Sequence, residues 1–281
     1  MPTMSETARP PTSNLPAYFN KLSVTYPKST GRSTEKLFAR LLPRLAPVTS
    51  QSVIHDNASG PGTATSVLLS NAGIAAEKPK IICTDMVEAM VDATKDLAQE
   101  NNWSNVEGKV MKSDAPNDFP DGYFSHSITN FSIFNFTDRV TAASEIYRTL
   151  KPGGQVIVST WKGFIVGEII REAQRRIRPD SKPMPFSGPE MYDGNAVLDV
   201  LIQGGFEKAR LEIVGDEHSI TGEDLNGIIA FAKSPFTNSA REGWTEEEKE
   251  RWAHVIDEVV EEHKKQDGGI LTEMWAIVGT K

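Results

Sequence analysis

Three carboxylates in this chain each close a short apolar run: Asp56 after Val53-Ile-His, Asp85 after Lys80-Ile-Ile-Cys-Thr, and Asp114 just after residues 107–111. Between the first two lies Asp56-Asn-Ala58-Ser59-Gly60-Pro-Gly62-Thr-Ala-Thr65, a turn of small residues that runs into Ser66-Val-Leu-Leu. Gly60 and Gly62 can take backbone angles closed to other residues and let a ligand approach the main chain, and the helix after them offers unpaired amides at its N-terminus. This is the chemistry of a loop that cradles a nucleotide cofactor. A dinucleotide fingerprint would want a third glycine where Thr65 stands, which weakens that reading, and an ordinary strand-to-helix turn would bind nothing. Asp85 at a strand end can accept hydrogen bonds from both hydroxyls of a ribose, or be a solvated strand-end residue; Asp114 can accept from the exocyclic amine of an adenine, or serve as a turn former before Pro116.

Acid–base chemistry is harder to find. His126 falls within an alternating strand, and neither His55 nor His218 belongs to an acid–base constellation. His263 shares a helical face with Trp252, Val255, Ile256 and Val259, a packing or surface position more than a catalytic one. The single cysteine, Cys83, sits in an apolar run and reads as a buried, inert thiol. No metal site is expected.

The elements that must position these residues follow in order. Ser33 can cap a helix with Leu37, Phe38, Leu41, Leu42 and Leu45 on one face. Apolar runs at 53–56, 80–85, 107–111, 124–130 and 155–161 alternate with helical spacing at 66–70, 87–99 and 140–150, the pattern of a doubly wound α/β fold with a parallel sheet and right-handed crossovers. Asn130, Phe131, Phe134 and Phe136 follow the fourth run, at the carboxyl ends of strands where ligands sit. Residues 1–14, rich in Pro, Ser and Thr, read as a mobile tail, and residues 15–281 as one domain. Tyr18 and Tyr26 either belong to the core or cover a ligand. With 38 acidic against 30 basic side chains, a formal charge of -8, a nucleic-acid or anionic-membrane partner has no electrostatic support, so a small-molecule substrate is expected. The absence of an apolar run of spanning length and of a signal peptide suggests a cytoplasmic protein. Oligomeric state is not legible, a monomer being slightly favoured.

Together these features resemble the class I S-adenosylmethionine-dependent methyltransferases, in particular the UbiE type of quinone biosynthesis and its small-molecule relatives, over roughly residues 18–281. The first motif is matched by Asp56-Asn-Ala58-Ser-Gly60-Pro-Gly62, with Ala58 in place of the family's first glycine. Leu150-Lys-Pro-Gly-Gly154 matches the family's helix-to-strand turn unaltered, residues 197–206 resemble its last helix and Ala-Gly-Phe turn, and Glu273-Met-Trp-Ala-Ile-Val278 resembles the terminal strand that inserts antiparallel. The resemblance implies a seven-stranded, mostly parallel Rossmann-like sheet with S-adenosyl-L-methionine as cofactor and S-adenosyl-L-homocysteine as product. The cofactor residues it implies are Tyr26, Asp56, Ala58, Ser59, Gly60, Gly62, Asp85 holding the ribose, Met86 flanking the adenine, Asp114, Ala115, Asn130 and Phe131.

Two insertions, about 163–193 and 222–269, should form a helical cap that defines the substrate. The first carries a helix from Glu168 with a charged outer face, then a Pro-punctuated loop with Met184, Phe186, Met191 and Tyr192 that could act as a lid; the second opens a helix with a capping box from Thr245 to Glu248. An apolar substrate pocket is expected from Tyr18, Phe134, Phe136, Trp161 and Phe164. Methyl transfer from a sulfonium is a direct displacement that needs alignment and exclusion of water, with a base only where the nucleophile is protonated. With no convincing base, a thiol, an amine or a phenolate is favoured. Residues 15–22 and 56–62 are further similar to fungal gliotoxin-type thiomethyltransferases, which implies the thiols of a reduced epidithiodiketopiperazine as acceptors. O- or N-methylation of another metabolite, or a non-catalytic protein of the same fold, are the alternatives.

Overall fold

The computed structural model describes residues 29–184 and 189–281. The expected tail, Tyr18, Tyr26 and Phe186 lie outside the described residues. Among those described, β1 (Val53–Asn57), β2 (Lys80–Asp85), β3 (Val106–Val110), β4 (Phe124–Thr129), β5 (Leu150–Gly163), β6 (Leu211–Ile220) and β7 (Ile270–Thr280) form one sheet in the order β3-β2-β1-β4-β5-β7-β6. Strands β1 to β5 pair in parallel, and β7 inserts antiparallel between β5 and β6, so the doubly wound, mostly parallel sheet is as expected. The strand order reverses between β1 and β4, the place where open α/β sheets form a ligand crevice.

Both faces of the sheet are covered, which is why β2 reads as a continuous apolar run: Ile81 and Cys83 face one core and Ile82 the other. The first core packs α1 (Ser33–Ala39) and α2 (Thr63–Ser70) through Leu37, Phe38, Leu41, Val67 and Leu68. The second packs α5 (Arg139–Thr149) and α7 (Gly194–Gln203) through Ala142, Ala143, Ile146, Val197 and Leu201. Between them in sequence come α3 (Ala72–Glu77) and α4 (Glu88–Glu100). Gly204, just after α7, explains the Gly-Gly-Phe turn, because a Cβ there would lie 2.4 Å from the Ala143 Cβ.

Local chemistry departs from expectation at α1. Ser33 is the first helical residue rather than the cap, and its hydroxyl donates to the Thr30 carbonyl. The helix ends at Ala39, where the Arg40 and Leu41 amides close back on Leu37 and Phe38, and a 3-10 turn at Leu42–Arg44 follows, so Leu45 leaves the helical face. The turn at residues 150–154 belongs to the start of β5, where Gly153 donates to the carbonyl of Lys281 and Lys281 donates back to Gly154, each at 3.0 Å.

A third apolar cluster lies at one end of the sheet, where Ile220 of β6 and Ile270 of β7 join it. It is built by α6 (Ile165–Ile177), α8 (Gly222–Lys233), a 3-10 stretch (Pro235–Arg241) and α9 (Glu246–His263), with Ile169, Ile170, Ile228, Trp252, Ile256 and Val259 at its centre. The capping box is present: Thr245 Oγ1 accepts from the Glu248 amide, and the Glu248 carboxylate accepts from the Thr245 amide. On the outer face of α6 Arg176 pairs with Glu172 and Glu262, and His263 lies 3.1 Å from Glu172, so the basic cluster is a solvated, ion-paired face. Among the described residues no helix is long and apolar enough to cross a membrane.

Candidate cofactor site

β1 delivers the chain to the sheet's carboxyl edge and the small-residue turn keeps it there. Ala58 turns left-handed at φ 52°, the Ser59 amide donates to the Thr84 carbonyl at 2.9 Å, and the Gly60 amide donates to Asp85 Oδ2 at 2.9 Å. Gly62, at φ 84°, caps α2, where a Cβ would press to 3.2 Å from Thr94 Oγ1. Above Gly60 a Cβ would meet nothing within 4 Å. That open space belongs to a cavity at the ends of β1, β2 and β4, floored by Ala58, Ser59 and Gly60, edged by Asp85 and Asp114, and walled by Met86, Val87, Met90, Phe131 and Phe136.

Electrostatics separate the three acids. Asp56 has no exposure and does not line the cavity; Oδ2 accepts from the Thr65 amide at 3.0 Å and its hydroxyl at 2.7 Å, and burial pushes the carboxyl up to about 6 against those bonds. It therefore fastens the turn to α2 from behind and takes one of the helix's free amides itself. Asp85 is raised from the ordinary range by burial, offset by bonds from the Val87, Gly60 and Met86 amides. Oδ2 accepts from Gly60 and Oδ1 from Val87, and the carboxylate keeps acceptor capacity for a ligand. Burial pulls Asp114 upward, but the Asp138 and Thr137 amides together with Lys112 outweigh it and hold the carboxyl below its usual range.

The structure thus brings eight of the expected cofactor residues to one cavity, Ala58, Ser59, Gly60, Asp85, Met86, Asp114, Asn130 and Phe131, while Asp56 and Gly62 support the turn and Ala115 does not line it. Of the expected substrate residues, Phe136 reaches the cavity. Trp161 is buried behind Phe131, with ring centroids 4.2 Å apart, and Phe164 continues that stack at 5.6 Å from Trp161. Phe134 meets Tyr192 edge-on at 5.7 Å. Thr34, Thr63, Ser113, Ser132, Asn135 and Thr137 also line the cavity and escaped the sequence reading; adjacency to Asp114 was the available signal for Ser113, and to Phe131 for Ser132.

Among the described residues no histidine lines the cavity. His55 is buried beside Phe124, where burial lowers its basicity to about 3, and His126 is lowered by burial beneath the Ala46 carbonyl. Cys83 is buried against Thr65, and burial raises its thiol, as an inert cysteine requires. Among the described residues no cluster of three His, Cys, Asp or Glu could hold a metal. The donor set fits an adenosine: two strand-end carboxylates, apolar plates for a ring, and glycine backbone open to close approach.

Ala58 carries a testable strain. A left-handed L-residue costs roughly 1–2 kcal/mol, whereas glycine at such a site loses about 0.4–1 kcal/mol through its freer unfolded chain. Ala58→Gly should therefore raise unfolding free energy by about 0.5 kcal/mol. Denaturant titration checks it, and a lower midpoint would mean that the methyl's packing against the second core outweighs the strain.

Residues 34–171 match the ubiE/COQ5 methyltransferase family. The chain is 30% identical over 216 residues to methyltransferase tpcH of Aspergillus fumigatus, covering 71% of this chain and 72% of that protein. It is 31% identical over 189 residues to the ubiquinone/menaquinone biosynthesis C-methyltransferase UbiE of Hydrogenovibrio crunogenus, covering 62% and 73%. In structure it is similar to the [4+2]-cyclase SpnF, with TM-score 0.57, 16% identity and 97% of each chain covered, a likeness of fold alone.

Proposed function

This chain belongs to the ubiE/COQ5 methyltransferase family and its cofactor is S-adenosylmethionine, and from that premise we propose that it methylates thiols of a small secondary metabolite, of the reduced epidithiodiketopiperazine class. Bound in the cavity, the cofactor supplies an electrophilic methyl group on a sulfonium. Asp85 would hold the ribose hydroxyls, Met86 and Phe131 the apolar faces of the nucleoside, and the open backbone at Gly60 its approach to the main chain.

The observation that carries the thiol reading is that no imidazole is among the described residues lining the cavity. A displacement without a base suits a nucleophile that ionises by itself, and a thiol of pKa about 8.5 exposes a few per cent thiolate at neutral pH. The chain's own contribution is then alignment and dryness: Phe136 and Phe131, the latter backed by Trp161, give an apolar surface that excludes water.

Incubation with S-adenosylmethionine and a reduced dithiol, read by mass spectrometry beside a panel of phenols and amines, tests this. We expect mass to be gained in methyl steps on sulfur, at a rate that climbs with pH up to the thiol's own pKa, since no imidazole among the described lining residues sets a lower one. Methylation confined to oxygen, nitrogen or carbon acceptors would overturn the thiol assignment and leave the cofactor assignment standing.

A further inference from the structure

Ser159 lies in β5 with no exposed surface and does not line the cavity. Its hydroxyl nevertheless meets two residues that do: it accepts from the Phe131 amide at 3.0 Å and donates to Asn130 Oδ1 at 2.8 Å. Asn130 in turn donates from Nδ2 to the Thr34 carbonyl at 3.3 Å, so one hydroxyl links the ends of β4 and α1 on two sides of the cavity.

Phe131 is where this matters. It holds φ 51°, a left-handed conformation that a bulky side chain keeps only when its surroundings over-determine it. The bond from its amide to Ser159 and the Trp161 ring behind it are the restraints. Ser132 follows at once, and its hydroxyl donates to the carbonyl of Ala58, the other left-handed non-glycine residue of the described cavity lining, at 3.1 Å.

We propose that Ser159 is a positioning residue for the cofactor, fixing the Phe131 ring and the Asn130 amide without touching the ligand. The proposal rests on the cavity being the S-adenosylmethionine site. Without the hydroxyl, the buried Phe131 N–H and Asn130 Oδ1 lose their partner, and Phe131 is freed to relax toward negative φ, which swings its ring out of the cavity wall.

The test is calorimetric titration of S-adenosylhomocysteine into wild type, Ser159→Ala, Ser159→Thr and Thr160→Val, with unfolding midpoints measured alongside. Thr160 is the control, since it is as buried as its neighbour but donates at 2.8 Å to the carbonyl of Met191, which does not line the cavity. Ser159→Ala should weaken binding about tenfold, Ser159→Thr should restore it, and Thr160→Val should stay within about twofold of wild type despite a comparable loss of midpoint. Wild-type affinity in Ser159→Ala, or equal weakening in Thr160→Val, would overturn the proposal. Failure of wild type itself to bind would remove the cofactor site on which it stands.

Discussion

Asp85→Ala should abolish measurable binding of S-adenosylhomocysteine. The side chain is 8% exposed, and its oxygens accept from the Gly60 and Val87 amides at 2.9 Å each. Its removal leaves those amides without partners, at about 1–3 kcal/mol each, and takes away a charged acceptor for the ribose hydroxyls, whose bonds are worth about 1.5–3 kcal/mol. The amide cost falls on stability; the two ribose bonds alone, about 3 kcal/mol together at the low end, are more than a hundredfold in affinity. Asp85→Asn keeps one carbonyl acceptor and should fall between the two. Calorimetry decides it: near-wild-type affinity in the alanine variant would place the ribose elsewhere, since the loss is too large to be masked by relaxation of the turn.

Trp252→Ala should produce the largest loss of stability, about 3–5 kcal/mol, the usual range for truncating a buried tryptophan. Trp252 is 1% exposed, lies edge-on to Trp244 with centroids 5.8 Å apart, and donates from Nε1 to the Ala232 carbonyl at 3.0 Å. Truncation would leave a cavity and remove one of two side-chain bonds to the Ala232 carbonyl, the other coming from Thr237 Oγ1 at 2.8 Å. Because Trp252 lies in this cluster of α6, α8 and α9, which meets the first core at Phe164 and does not include the cofactor turn, binding of S-adenosylhomocysteine by the folded protein should stay within about threefold of wild type. Denaturant unfolding with parallel calorimetry checks both halves; a loss below about 1 kcal/mol, or affinity that falls in step with stability, would contradict the separation.

The parts of the fold that were legible in the sequence are those written in a local pattern. Apolar runs ending in an acid and followed by helical spacing placed β1, β2 and their acids, because strand ends and glycine turns have few alternatives in residue type. Antiparallel insertion of β7 came from the family resemblance, since nothing in Ile270–Thr280 read alone tells which neighbours it will find. The end of α1 was missed because Arg40 and Leu41 continue the helical pattern while the backbone tightens into a 3-10 turn. Asp56 reads like Asp85 in sequence, yet one is sealed behind the turn by Thr65 and the other edges the cavity; register separates them, since Asp56 pairs with Cys83 and Asp85 lies two residues further toward the carboxyl edge, and residue type carries no trace of it. Thr34, Asn135 and Thr137 reach the cavity only through long-range packing, and Ser159 acts from behind it, so no spacing rule could have singled them out.

The placement of β7 also governs how the protein reaches its fold. It is the central member of the sheet's second half, pairing with β5 and β6, yet it is made about fifty residues after β6 and more than a hundred after β5. Until residues 270–280 leave the ribosome, two long strands carry open hydrogen-bonding edges with no partner between them, the kind of surface that recruits other chains. Pairing across such separations has to be reached before it is rewarded, which makes closure of this half of the sheet a slow step and concentrates the risk of aggregation in the interval before it.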